Sequence, residues 1–257
     1  MIKQLLKNII FFWLDCFFPG LGGRAVILMY HSVGDSGAFF SVKENNFRWQ
    51  LAYLKRKKYK IIKLSELIKK IKSQEDVSNT VCLTFDDGFR DNYGIVLPLL
   101  KQYVFPATIF VATDFVGGQI KNSEGITLPC LSREQIREMA QSGLVEFMPH
   151  TQSHCLLDEV SLAEGCREID QSRDFLEKLT GAKADIFCYP KGHYNPEIDQ
   201  YLKKNDWRGA VLVKEGLVGK DSDLFRLKRN SIDSTTSAWQ FRAKTSEAID
   251  VYNKFKK

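Results

Sequence analysis

Residues 84–88 read Thr-Phe-Asp-Asp-Gly after the apolar run Val81-Cys82-Leu83, and residues 150–154 read His-Thr-Gln-Ser-His. Adjacent carboxylates at the end of a buried strand repel one another, and leaving water raises that cost, so the pair calls for a cation or a shared proton nearby. Two imidazoles four residues apart supply nitrogen donors. One aspartate with two histidines is a normal open ligand set for Zn²⁺ or a similar divalent ion, with a position left for water. The chain has four histidines, and His31, His150 and His154 each fall just past an expected strand end. Together these residues point to a metal-dependent hydrolase.

Such chemistry needs a frame that brings distant segments to one place. From Ala25 onward, short apolar runs alternate with helical periodicity. Strands are expected at 25–29, 59–62, 80–85, 107–111, 145–148, 186–189, 209–213 and 224–227, with helices at 44–57, 65–72, 91–103, 133–142, 162–179, 196–205 and 238–255. Ser132 with Gln135, and Ser161 with Glu164, read as capping boxes. Asp91 is expected to cap the helix after the Asp-Asp-Gly turn, and 114–131 reads as an irregular insertion bordering a substrate groove. Repeated strand-then-helix units predict an α/β fold, a distorted (β/α) barrel of about seven to eight parallel strands. In such barrels the C-terminal strand ends carry the chemistry. Asp86, Asp87, His150, the Tyr189-Pro190-Lys191 turn and His31 would then share one rim.

These residues resemble the polysaccharide deacetylases of carbohydrate esterase family four (the NodB-homology domain). Thr84–Gly88 looks like the first motif, His150–His154 the second, and Phe187-Cys188-Tyr189-Pro190-Lys191-Gly192 a variant of the third. Ile27-Leu28-Met29-Tyr30-His31-Ser32-Val33 is similar to the opening of the branch that acts on poly-N-acetylglucosamine. The resemblance covers roughly 25–230. It implies metal-dependent removal of acetyl groups from sugars, with Asp87, His150 and His154 as ligands, Asp86 as general base and a metal-bound water as nucleophile. The backbone N–H of Lys191, after Tyr189 and Pro190, would stabilise the oxyanion, and His31 would protonate the leaving amine. Zn²⁺ is the first expectation for the metal, with Co²⁺ or Ni²⁺ as alternatives.

The chain departs from the family pattern in three places. Cys188 stands where many members have an arginine that orients the base, Lys191 replaces the usual tyrosine after proline, and no histidine follows His193. Arg226 or Arg229 is the candidate replacement for the arginine. Trp207 is expected either to wall the acetyl pocket or to sit in the core, and His193 to be a loop residue. The substrate expected is an N-acetylated glycan or glycolipid of the cell envelope. Alternatives are a carbohydrate O-acetyl esterase or a catalytically silent carbohydrate-binding protein on the same fold.

Residues 1–22 read as an amphipathic helix ahead of a catalytic barrel over 23–257. Ile2, Leu5, Leu6, Ile9, Ile10, Phe12, Trp13, Cys16 and Phe17 fall in one sector of roughly 160°, with Phe11, Leu14 and Phe18 outside it. Asp15 interrupts the apolar run and no A-x-A site follows, so the segment does not read as a cleaved signal peptide. Its uncharged stretches are too short to span a bilayer. Peripheral contact of residues 1–18 with the inner face of the cytoplasmic membrane is expected; packing on the domain's own core or an uncleaved anchor are the alternatives. The cysteines, without a CxxC or a disulfide-like spacing, read as free thiols in a reducing compartment. A composition of 44% hydrophobic and 26% charged residues excludes general disorder. The basic stretch 55–72 carries a single aromatic, Tyr59, and no known nucleic-acid motif, which argues against nucleic acid and leaves a solvated surface or an anionic lipid or phosphate partner.

Overall fold

Apolar runs bounded by turns become strands here, and the periodic segments become helices that cover them. The computed structural model describes residues 2–18 and 20–255, and the side chains of residues 2–8 and Asp15 lie outside that description. In chain order the elements are α1 (Ile2–Phe17), β1 (Ala25–Tyr30), β2 (Ser32–Val33), β3 (Ser41–Val42), α2 (Glu44–Arg56), β4 (Lys60–Ile61), α3 (Leu64–Lys72) and β5 (Thr80–Phe85). A π-helical turn (Asn92–Val96) leads into α4 (Leu97–Tyr103), followed by β6 (Ala107–Val111), β7 (Gln119–Lys121), β8 (Thr127–Pro129), α5 (Arg133–Gln141) and β9 (Val145–Pro149). The last third contains α6 (Leu162–Thr180), β10 (Ile186–Cys188), α7 (Pro196–Lys204), β11 (Gly209–Val211), β12 (Asn230–Ser231), α8 (Ala238–Lys244) and α9 (Ala248–Phe255).

The central sheet is parallel in the order β12–β1–β5–β6–β9, and β4 pairs with the start of β5 while β6 pairs with its end. Every residue of β1, β5 and β6 is buried, as expected for parallel strands covered on both faces. β10 and β11 form a separate parallel pair. The hydrogen-bonded path therefore stops between β9 and β10 and again between β11 and β12, leaving a distorted, unclosed barrel. Side chains bridge both seams. His150 Nδ1 lies 2.8 Å from the Cys188 carbonyl, and Arg229 Nε donates to the Leu212 carbonyl at 3.2 Å.

Four expectations need correction. Segment 224–227 forms only a single bridge, Val211 with Leu227, because the chain turns at Asp223–Arg226; the strand follows at Asn230–Ser231. Asp91 makes no cap bond: its carboxylate accepts from Ser32 Oγ at 2.7 Å and Val33 N–H at 3.2 Å, tying the π-turn to β2. The 114–131 insertion contains an antiparallel hairpin, β7 with β8. The expected last helix divides into α8 and α9, since the Thr245 and Ser246 hydroxyls bond back to the Phe241 and Ala243 carbonyls. The Ser132–Gln135 capping box is present in both halves, whereas at Ser161 the hydroxyl accepts the Glu164 N–H.

Helix α1 packs outside α8 and α9. Phe11 is buried with Ala243 and Ala248, and its ring meets Tyr252 at 4.5 Å. The sequence wheel set Phe11 outside the apolar sector; in the structure it is the docking residue, and Ile9, Ile10, Trp13 and Phe17 of that sector are exposed. The side chains of Ile2, Leu5 and Leu6 lie outside the described ones. Phe12 meets Trp239 edge-on at 4.8 Å and the Glu247 N–H bonds the Gly20 carbonyl, so α1 and α8 run in the same direction.

Candidate metal centre and active site

Register places the first two functional residues. β1 and β5 pair with Tyr30 opposite Phe85, so His31 emerges beside Asp86, whose N–H donates to the Tyr30 carbonyl at 2.9 Å. Gly88 completes the turn with φ of 72°, and a side chain there would press on Val111 at 3.3 Å, so glycine is required. On the neighbouring strand, the His150 N–H bonds the Val111 carbonyl and fixes the end of β9 against β6. The loop beyond is held by the buried Glu168, whose carboxylate accepts from Gln152 N–H, Ser153 N–H and Ser153 Oγ at 2.8–3.0 Å. That grip bends the loop so that His154, at φ 60°, turns back toward His150.

Asp87 Oδ1 lies 3.7 Å from His150 Nε2 and 3.4 Å from His154 Nε2. Donor atoms about 2.0–2.2 Å from a zinc-sized ion at tetrahedral angles sit about 3.4 Å apart, so the spacing fits. Asp87 Oδ1 is buried without a hydrogen-bond partner, an orphaned acceptor facing the two imidazoles. The Cys188 carbonyl accepts the Nδ1 proton of His150 and leaves the Nε2 lone pair directed at the gap, the usual outer support of a metal-bound histidine. Burial lowers the His150 pKa to about 3, with His154 adding to the effect, so both the tautomer and the neutral state suit a ligand.

A family model described as polysaccharide deacetylase matches residues 73–210, a span that contains both motifs. The chain belongs to the polysaccharide deacetylase family. A poly-beta-1,6-N-acetyl-D-glucosamine N-deacetylase of Staphylococcus epidermidis is 30% identical over 199 residues, covering 74% of this chain and 67% of that protein. Among solved structures, the Streptococcus pyogenes deacetylase PplD in complex with acetate superposes with a TM-score of 0.76 at 27% identity, covering 86% of this chain and 98% of that one. A polysaccharide deacetylase from Bacillus cereus gives 0.73 at 28% identity, covering 86% and 69%.

Within this deacetylase the two adjacent aspartates have opposite surroundings. Burial pushes both carboxyls up, but Arg229 overrides it at Asp86 and holds that carboxyl well below the usual range. The guanidinium donates to Asp86 Oδ1 at 2.6 Å and to Oδ2 at 2.7 Å, a bidentate fork in a fully buried setting. At Asp87 burial prevails and the charge of Asp86 adds to it, raising the pKa to about 6 in the metal-free protein although His31 opposes the shift. Asp86, His150 and Cys188 also converge closely enough to suggest a second ligand set. Arg229 excludes it: the guanidinium occupies both Asp86 oxygens and lies 3.1 Å from Cys188 Sγ, which puts a fixed cation where an ion would sit.

Of the two arginines proposed from sequence, Arg229 reaches the site and Arg226 does not; Arg226 pairs with Asp199 at 2.8 Å. The small Cys188 thiol opens the room through which Arg229 enters, 3.7 Å from Asp86 on its other side. Lys191 is exposed with φ 52°, and its charge acts on His154. Its N–H has no acceptor among the described residues, while Pro190 beneath it is buried. Two expected site residues point elsewhere. Strand alternation in β10 sends Phe187 and Tyr189 to the face opposite Cys188, so the Tyr189 ring packs on Phe187 at 5.2 Å and Trp207 packs on Phe187 at 5.9 Å with Arg173 over its ring. Trp207 is therefore a core residue, and Tyr189 contributes backbone only. His193 pairs with Asp158 on the surface. Glu168 was not anticipated; its helical setting four residues after Glu164 gave no sign that it holds the histidine loop.

Proposed function

We propose that the protein removes N-acetyl groups from N-acetylhexosamine units of a cell-envelope polysaccharide or its lipid-linked precursor. The observation that carries this reading is the divided aspartate pair: Asp86 ionised by Arg229, and Asp87 turned with a free oxygen toward two neutral histidines. A divalent ion held by Asp87, His150 and His154, with Zn²⁺ first and Co²⁺ or Ni²⁺ compatible, supplies Lewis-acid polarisation of the acetyl carbonyl and lowers the pKa of water.

Asp86 takes the proton of the attacking water, and the Arg229 fork keeps the carboxylate ionised and aimed. The Lys191 N–H, presented by the Tyr189-Pro190 turn, donates to the oxyanion. His31, half-buried and tilted on Phe40 at 5.4 Å, gives the leaving amine its proton. An O-acetyl ester would ask less of His31, because a sugar oxygen leaves more easily than an amine. A silent binding protein has no use for an ionised base beside an open ligand set. The exposed apolar side chains of α1 support the reading of that helix as lying on a membrane surface, and we assign it to the inner face of the cytoplasmic membrane.

Acetate release from an N-acetylglucosamine oligomer, measured with metal content, tests the assignment. Asp86→Asn should lower turnover by about 10²–10⁴-fold while retaining the ion. Equal release by both proteins would refute the mechanism.

A further inference from the structure

At the N-terminal end of the sheet, where the chain leaves α1 and enters β1, Phe18 and Arg24 line a cleft of about 660 Å³. Lys214, Lys228 and Lys254 line it too, with the acids Glu215, Glu247 and Asp250. Each acid is already engaged. Lys244 pairs with Glu215, and Arg24 pairs with Glu247 at 3.0 Å and with Asp250. Lys214, Lys228 and Lys254 have no ion-pair partner among the described residues. Arg24 serves both Glu247 and Asp250, so with Lys244 five cations face three carboxylates and the cleft keeps a net charge of +2, which is an anion-attracting arrangement.

The surface beside it is apolar. Trp13 is 56% exposed, Phe17 72% and Phe255, next to Lys254, 83%. Ile9 and Ile10 add to this face, and no helix among the described residues is long and apolar enough to cross a membrane. Apolar rings flanked by unpaired lysines match the layered chemistry of an anionic bilayer surface.

We propose that this cleft receives the phosphate of an anionic phospholipid headgroup while Trp13, Phe17 and Phe255 enter the acyl boundary of the same bilayer. The inference rests on the interfacial reading of α1 and is independent of the deacetylase chemistry. It goes beyond the former by assigning headgroup selectivity to Lys214, Lys228 and Lys254.

Flotation of the full chain with vesicles of phosphatidylcholine alone, and of phosphatidylcholine with phosphatidylglycerol, tests it. Wild type should prefer the anionic vesicles by about tenfold or more, since each lysine near such a surface contributes on the order of fivefold. Lys214→Gln/Lys228→Gln/Lys254→Gln should lose that preference, keep binding to neutral vesicles and keep acetate release from a soluble oligomer. The corresponding triple Lys→Arg variant should restore the preference. Trp13→Ser/Phe17→Ser should lose binding to both kinds of vesicle. An unchanged preference in the glutamine variant would overturn the headgroup site. Failure of wild type to float on either vesicle, with concentration-dependent dimers in solution, would assign the face to a second copy instead.

Discussion

The sheet has an unbroken side, β1–β5–β6–β9, and a broken side, where β10, β11 and β12 are two or three residues long and separated by seams. The unbroken side supplies His31, Asp86, Asp87 and His150 from backbone register, and His154 from the loop beyond β9 that Glu168 holds. The broken side supplies Arg229 and the Cys188 carbonyl, groups that reach the site because the ladder is interrupted there. Continuous pairing places ligands, and interruption admits the residues that tune them.

If that division is right, removing the guanidinium should do the most damage. Arg229→Ala leaves Asp86 buried without its counter-charge and should cost about 3–5 kcal/mol, read from the denaturant midpoint, with acetate release falling in parallel. Arg229→Lys keeps the charge but not the fork, and should recover stability more than turnover. Equal stability of Arg229→Ala and wild type would erase the distinction between the two sides.

Next in size is the pH response of the neighbouring aspartates. Asp87 has its folded pKa raised to about 6, so in the metal-free protein its contribution is fully present below about pH 4 and is lost as pH rises through 6. Metal-free Asp87→Asn should therefore match metal-free wild type below pH 4 and exceed it above pH 6, by up to ~3 kcal/mol. Asp86 is depressed, and the sign reverses: its stabilisation is present above about pH 4 and disappears only as pH falls through its folded value. Chemical denaturation across pH 3–8 (a range set by the roughly 4–6 window of these shifts) separates the two. A fall in metal-free Asp87→Asn stability above pH 6 would contradict the assignment.

Glu168→Gln should weaken metal binding by about 10–100-fold through the loosened His154 loop, measured by titration with a zinc chelator. Unchanged affinity would mean that the loop needs no such support. Cys188→Ala is the smallest change, costing about 1 kcal/mol with turnover near wild type; a large loss of turnover would make the thiol more than a space through which Arg229 passes.

The same contrast explains what could be read from sequence. The Val81–Phe85 run and the Asp-Asp-Gly turn announced a buried strand with chemistry at its end, and β5 occupies 80–85. The histidine pair was legible because it follows a strand of ordinary length. On the broken side, 186–189 and 209–213 read as strands and β10 and β11 fill their first three residues, but the two residues of β12 carry no periodic signal, so 224–227 read as a strand while the pairing residues were 230–231. Arg229 was visible only as one of two nearby arginines, since local sequence cannot say which reaches a carboxylate more than a hundred positions away. In α1 the wheel found one apolar sector, but docking on α8 and α9 chose Phe11, which lies outside it. When both sides of a helix carry large apolar residues, a moment cannot tell which side meets protein.

The shared direction of α1 and α8 bears on how a substrate would arrive. α8 begins just after β12 at the catalytic rim and ends where the Thr245 carbonyl meets the Tyr59 hydroxyl, near the opposite end of the strands. α1 travels the same way. If α1 lies in the plane of a bilayer, as proposed above, the strand axis would run roughly along that plane, and the rim would open sideways along the lipid surface. A sugar carried on a lipid would then slide in laterally at headgroup height, without being lifted into the surrounding water.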